Sequence, residues 1–89
     1  MSVQVEELLE VKEKVEENKD LILYNDDHNT FDFVIDALVE VCGHDLLQAE
    51  QCTYLVHYKG RCAVKKGSYS DLKPLCTALH DRDLTAEIN

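Results

Sequence analysis

Three consecutive oxygen-bearing side chains, Asn25-Asp26-Asp27, followed by His28, stand directly after the apolar run Leu21-Ile22-Leu23-Tyr24. An amide and two carboxylates at such a corner can accept hydrogen bonds from a cation, and loops set on rigid elements are where binding groups concentrate. The same residue types satisfy local backbone groups in ordinary turns, so the triplet by itself supports both readings. A metal fits poorly, because two adjacent carboxylates lack a spaced acidic or histidine partner. Farther along, Thr53, Val56 and His57 recur at i, i+3 and i+4 and so share one helical face. His57 follows Leu55-Val56 and precedes Tyr58, a setting that suits a residue at the edge of a core. Brought beside the Asn25 turn, it would complete an apolar recess ringed by acceptors, suited to a ligand with an amine next to an apolar side chain. No Ser/His/Asp order, glycine-rich phosphate loop or acid/base pair accompanies these residues, and nothing supplies a nucleophile beside the histidine. A binding protein is expected, not an enzyme.

The elements that must position these groups are legible as pattern. Residues 21–24 form a short apolar strand stopped by the polar turn. Asn29 is placed to cap the next helix, with Asp32 in its first turn at the positive end of the macrodipole. Phe31, Val34, Ile35, Leu38 and Val41 follow at helical spacing, and Gly43 supplies a stop. Asp45 and Gln48 resemble a capping box for a second helix with Leu46, Ala49, Cys52 and Val56 on its apolar side, ended by Gly60. Arg61 to Lys65 reads as a strand closed by Lys66-Gly67. Ser70 opens a third helix with Leu72, Leu75, Cys76 and Leu79 on one side and Pro74 within its first turns. Leu84, Ala86 and Ile88 alternate with polar residues as a last strand. The expected order is β-α-α-β-α-β: an α+β fold in which three short strands form one sheet and the helices cover a single face.

With 89 residues the chain holds one small domain, so a shallow surface site is expected in place of a large enclosed cavity. Nine basic against eighteen acidic side chains give a formal charge of -9, the wrong sign for tracking phosphates and favourable to cationic ligands. Residues 1–20 carry seven acidic and three basic groups on a thin apolar stripe and read as a flexible acidic N-terminal extension, with the core domain at 21–89. No apolar run approaches a membrane span and the first residues are acidic, so a soluble, intracellular protein is expected. Cys42, Cys52, Cys62 and Cys76 show no ligand-like spacing and sit among apolar neighbours, as buried reduced thiols would. Lys59, Arg61, Lys65, Lys66 and Lys73 cluster within fifteen positions, either as a docking patch or as lysines guarding an edge strand.

Leu23-Tyr24-Asn25-Asp26-Asp27, then Phe31-Asp32-Phe33-Val34-Ile35-Asp36 and Val56-His57-Tyr58-Lys59-Gly60, in that order and spacing, resemble the ClpS adaptors of the bacterial Clp protease system. The similarity is strong over residues 21–60 and weaker to residue 88. It implies a three-stranded antiparallel sheet packed on three helices, in accord with the pattern above. It also implies a cytoplasmic adaptor, without catalytic activity or cofactor, that recognises N-degrons. These are substrates with a free N-terminal Leu, Phe, Tyr or Trp, handed to the N-terminal domain of a Clp AAA+ unfoldase and on to its peptidase. By this resemblance Asn25, Asp26, Asp27 and His57 fall on positions that bind the substrate α-amino group. Leu23, Tyr24, Asn29, Phe31, Thr53, Val56 and Leu84 fall on positions that line the side-chain pocket. The extension would engage the unfoldase during delivery. Where this chain has Thr30 and Phe31 the family commonly has proline and methionine, and it has another methionine at Thr53. A reshaped pocket with altered discrimination against β-branched first residues is expected. The alternative is an interaction module of the same fold docking on another machine, as the similarly folded C-terminal domain of the ribosomal stalk protein does.

Overall fold

Alternation along the first apolar run puts Leu21 and Leu23 on one face, both fully buried, and leaves Ile22 and Tyr24 half-buried on the other. That period of two makes a strand, and it sits at the centre of the fold. The computed structural model describes residues 18–89, so the expected extension 1–20 lies outside the described residues except for its last three. Six elements follow in the expected order: β1 (Lys19–Tyr24), α1 (Phe31–Cys42), α2 (Leu46–Lys59), β2 (Arg61–Gly67), α3 (Tyr69–Asp81) and β3 (Thr85–Ile88). The strands form one antiparallel sheet in the order β2-β1-β3. Its inner face, Leu21, Leu23, Cys62, Val64 and Ala86, is buried against Val34, Ile35 and Leu38 of α1, Val56 of α2, and Leu72 and Leu79 of α3. β1 begins at Lys19, two residues ahead of the expected start, because Lys19 and Asp20 pair with Gly67 and Lys66 of β2, and Asp20 also exchanges backbone hydrogen bonds with Asn89.

The helix caps differ from expectation at two places. Thr30, not Asn29, caps α1: its Oγ1 accepts from Phe33 N at 3.1 Å. Asn29 is drawn away by its neighbours, as described below. Ser68, not Ser70, caps α3, accepting from Asp71 N at 3.1 Å, so the helix starts at Tyr69. Asp45 caps α2 as expected through Gln48 N, at 2.7 Å. Gly43 and Gly60 end α1 and α2 in the left-handed conformation, at φ 69° and 92°, where a side chain would be strained. Leu46, expected on the apolar side of α2, is 62% exposed. It occupies the first turn, beyond the reach of α1. Leu84, expected in the last strand, immediately precedes β3 but is buried.

A bulge in β2 ties the sheet to the α1–α2 corner. Leu21 pairs with Lys65 but Ile22 pairs with Ala63, so Val64 is the extra residue. The Val64 carbonyl accepts instead from buried His44 Nε2 at 2.6 Å, and Lys65 Nζ reaches the Cys42 carbonyl at the negative end of α1 at 3.2 Å. Lys66 pairs with Asp20 at 3.2 Å across the ladder. With β2 at the sheet's edge, these two lysines of the basic cluster serve the edge. β3 is the other edge, and its Ala86 carbonyl accepts from His80 Nε2 at 2.7 Å. All four cysteines are free thiols; Cys42, Cys62 and Cys76 are buried and Cys52 is half-buried. Burial pushes the Cys42 thiol up to about 11, and burial together with the Cys52 thiol pushes Cys62 up to about 12, which keeps them protonated and unreactive.

Two substitutions test this assignment by urea denaturation. Thr30→Ala is expected to cost about 1 kcal/mol through the lost cap. Leu38→Ala, at a fully buried position, is expected to cost about 2–5 kcal/mol.

Candidate functional site

The turn between β1 and α1 is organised by one carboxylate. Asp26 Oδ1 accepts from Asn29 N at 2.7 Å and from His28 N at 3.0 Å, while Oδ2 accepts from Asn29 Nδ2 at 2.8 Å. Burial opposes the charge on Asp26, but the Asn29 side-chain bond, the two backbone bonds and the nearby His28 ring outweigh it and hold the carboxyl below its ordinary value. The Asn29 amide also donates to the Asp83 carbonyl at 2.8 Å, which is why it is unavailable as a helix cap. Asn25 N donates to the Gly60 carbonyl at 2.9 Å, fastening the start of the turn to the end of α2. The turn is thereby held against the C-terminal ends of α2 and α3.

Beside it lies a recess lined by Leu23, Tyr24, Asn25, Asp26, Asn29, Thr30, Phe31, Val34, Thr53, Val56, His57 and Leu84. The floor is apolar and buried: Leu23, Val34, Val56 and Leu84. Thr53 is buried as well, and its hydroxyl donates to the Ala49 carbonyl at 2.7 Å, so it meets the recess as a β-branched methyl-bearing wall. The mouth is polar, with Asn25, Asp26, Asn29 and His57. The recess has a volume of about 280 Å³, part of it open to solvent. Phe31 belongs to this lining. Its half-buried ring stands edge-on to Tyr54 at 4.9 Å and to His57 at 6.1 Å, and Tyr54 stacks on Tyr58 at 5.6 Å.

Ten of the eleven residues singled out from sequence line this one recess. Asp27 does not; it is exposed on the turn outside the lining. Two lining residues were missed, Thr30 and Val34. Val34 was visible as a member of the α1 apolar stripe, one turn from Phe31, but the pattern could not say that this part of the stripe faces a cavity. Among the described residues no group of three His, Cys, Asp or Glu side chains is placed to hold a metal ion. None of the described helices is long and apolar enough to cross a membrane.

A family model described as ATP-dependent Clp protease adaptor protein ClpS matches residues 14–87. The chain belongs to the ClpS family. Among curated relatives it is 36% identical over 55 residues to the ATP-dependent Clp protease adapter protein ClpS of Salmonella gallinarum, covering 60% of this chain and 52% of that one. It thus spans about half the length of that ClpS relative. It is also 36% identical over 62 residues to the E3 ubiquitin-protein ligase UBR1 of Homo sapiens, a match over 70% of this chain and 4% of the ligase. Among solved structures, Agrobacterium tumefaciens ClpS2 bound to L-phenylalaninamide aligns with a TM-score of 0.71 and 16% identity over 83% of this chain and 96% of that one. The ClpS fold therefore extends over nearly all the described residues.

Asp26 carries a pH signature. Because its carboxyl is lowered from 3.8 in the folded state, its contribution to stability is complete above that value and is lost as pH falls through the lowered one. The stability gap between wild type and Asp26→Ala in urea is expected to be full at neutral pH and to close in acid below about pH 4. A gap independent of pH would show that the carboxylate charge does not organise the turn.

Proposed function

We propose that this ClpS-family chain is an adaptor that binds proteins through a free N-terminal Leu, Phe, Tyr or Trp and delivers them in the cytoplasm to the N-terminal domain of a Clp AAA+ unfoldase. The observation that carries this reading is the pairing of an apolar floor with a rim of acceptors in one small recess. An α-amino group is mostly protonated at neutral pH, and Asn25, Asp26 and His57 present oxygen or nitrogen acceptors where that ammonium would sit. Asp27, exposed at the outer side of the turn, adds negative potential and reaches the ammonium through water. The first side chain enters between Leu23, Tyr24, Asn29, Phe31, Thr53, Val56 and Leu84. The ClpS2 neighbour holding an aromatic amino-acid amide supports the reading, as does the similarity to an E3 ligase segment. The extension 1–20 is assigned to engaging the unfoldase.

Magnitudes are sufficient. Charge-assisted hydrogen bonds contribute about 1.5–3 kcal/mol each, and burial of a Leu or Phe side chain about 1.5–3 kcal/mol. After the entropy of ordering a peptide end, micromolar binding near about -8 kcal/mol results. Selectivity follows from the same terms. An acetylated terminus lacks the cation and leaves the rim acceptors unpaired, and a small first residue leaves the floor uncovered.

Fluorescence anisotropy with Leu-, Phe- and acetyl-Leu-initiated peptides tests the proposal. The first two are expected to bind and the third to fail, with Asn25→Ala weakening Leu binding by about tenfold or more. If free and acetylated termini bind equally, N-terminal recognition is excluded. A protein partner that still bound while these peptides did not would favour the interaction-module alternative.

The pocket's own residues lead to a second expectation. Phe31 and the methyl of Thr53 narrow the recess around the Cβ of a bound residue, so Ile- and Val-initiated peptides should bind less well than Leu. Phe31→Ala should reduce that preference by removing the ring from the lining. A Leu preference unchanged by both Phe31→Ala and Thr53→Met would assign selectivity elsewhere.

A further inference from the structure

The end of α3 is a Schellman turn with an unusual occupant. Leu84 N donates to the Leu79 carbonyl at 3.0 Å and Asp83 N to the His80 carbonyl at 2.9 Å, the pair of bonds that defines the motif. The first residue beyond the helix cap, which donates the second of these bonds, must be left-handed, and glycine ordinarily takes that place. Here it is Asp83, at φ 64°, the only non-glycine residue with positive φ among those described. A side chain in this conformation costs energy that glycine would not. Global stability gives no return for it, since both side chains of the Asp83–His28 pair lie largely in solvent, 84% and 60% exposed, where ion pairs contribute little.

What Asp83 does have is a hold on the turn at the recess mouth. Its Oδ2 accepts from His28 Nε2 at 2.8 Å, and its carbonyl accepts from Asn29 Nδ2 at 2.8 Å. Both bonds span more than fifty residues of sequence. Leu84, the next residue, is buried in the apolar lining of the recess. Strain kept at one point beside a binding site is a pointer to function when the surrounding bonds over-determine it.

We propose that Asp83 is a positioning residue for the recess: held left-handed, it ties the turn 25–29 to the wall at Leu84 through His28 and Asn29, keeping the rim acceptors set for an incoming ammonium. The proposal rests on the N-terminal recognition reading for its ligand, but the tie itself is measurable without any peptide. Two charged groups face His28, Asp83 from the α3–β3 turn and Asp26 from its own turn, the latter at 3.7 Å from Nδ1. The Asp83 hydrogen bond first, and the Asp26 charge second, hold the imidazole above its ordinary value of 6.5. The charge-assisted part of the tie is therefore complete below that value and fades as pH rises through the raised one.

The test uses the full chain with Asp83→Gly, which suits the left-handed backbone and removes only the carboxylate, and Asp83→Asn, which keeps a neutral acceptor there. In the absence of peptide, NMR should show the His28 titration midpoint falling toward 6.5 in Asp83→Gly, and faster amide exchange at His28 and Asn29. Its Tm should be equal to wild type or higher, while affinity for a Leu-initiated peptide falls roughly two- to fivefold. That deficit should be largest in mild acid and shrink at alkaline pH, with Asp83→Asn intermediate. An unmoved midpoint with unmoved exchange overturns the tie. Unchanged affinity in a wild type that binds peptide overturns the positioning role, and so does weaker binding that merely follows a fall in Tm in both variants. If wild type binds no Leu-initiated peptide, the recognition reading fails on its own, and the midpoint and exchange rates alone then uphold or overturn the tie.

Discussion

Everything at the recess follows from the satisfaction of the Asp26 carboxylate within its own turn. Three donors from His28 and Asn29 converge on it, and those bonds set where the chain leaves β1 and how it enters α1. With Asn29 committed to Asp26 and to the Asp83 carbonyl, the cap passes to Thr30 and α1 starts one residue later than Asn29 would have placed it. The Phe31 ring then lands over the recess with Tyr54 and His57 against it. One carboxylate thus couples the backbone path, the helix start and the ring that narrows the pocket.

The site is small for a physical reason. A chain of 89 residues has little core to give up, and the recess is cut at the junction of β1, α1 and α2 without opening the packed layer beneath. Its polarity is concentrated in a few groups at the mouth. Among the described residues Asp26 is the one acid that lines the recess, so the overall -9 bears on long-range attraction more than on recognition. Cys42 and Cys62 fit the same economy: they fill space in the core, and burial keeps their thiols protonated.

Much of this was legible in the residue order. Period-two and period-3.6 patterns marked all six elements, because strands and helices that bury one face cannot avoid displaying it. The resemblance carried by the motifs around Asn25, Phe31 and His57 named ten of the residues that line the recess. The errors share a cause. Asn29 and Ser70 are good cap residues by type, yet Asn29 is claimed by groups on a distant turn, and Ser68 is placed one residue ahead of α3 where Ser70 is not. Leu46 reads as core by spacing, but the helix start carries it past its neighbours into solvent. Val34 was assigned to the core without its recess, since a stripe of apolar residues looks the same whether its partner is a side chain or a cavity.

Residue types and their spacing determined the strand and helix order, the family resemblance, and the chemistry of a rim that accepts hydrogen bonds beside an apolar floor. Those are consequences of local propensity and periodicity, which operate over a few residues. Only the tertiary structure decided that Asp27 stands outside the lining, that Phe31 meets Tyr54 and His57 edge-on beside the recess, and that a left-handed Asp83 reaches across more than fifty residues to His28 and Asn29. These depend on which turns meet when the helices close over the sheet, a juxtaposition that no run of neighbouring residues encodes.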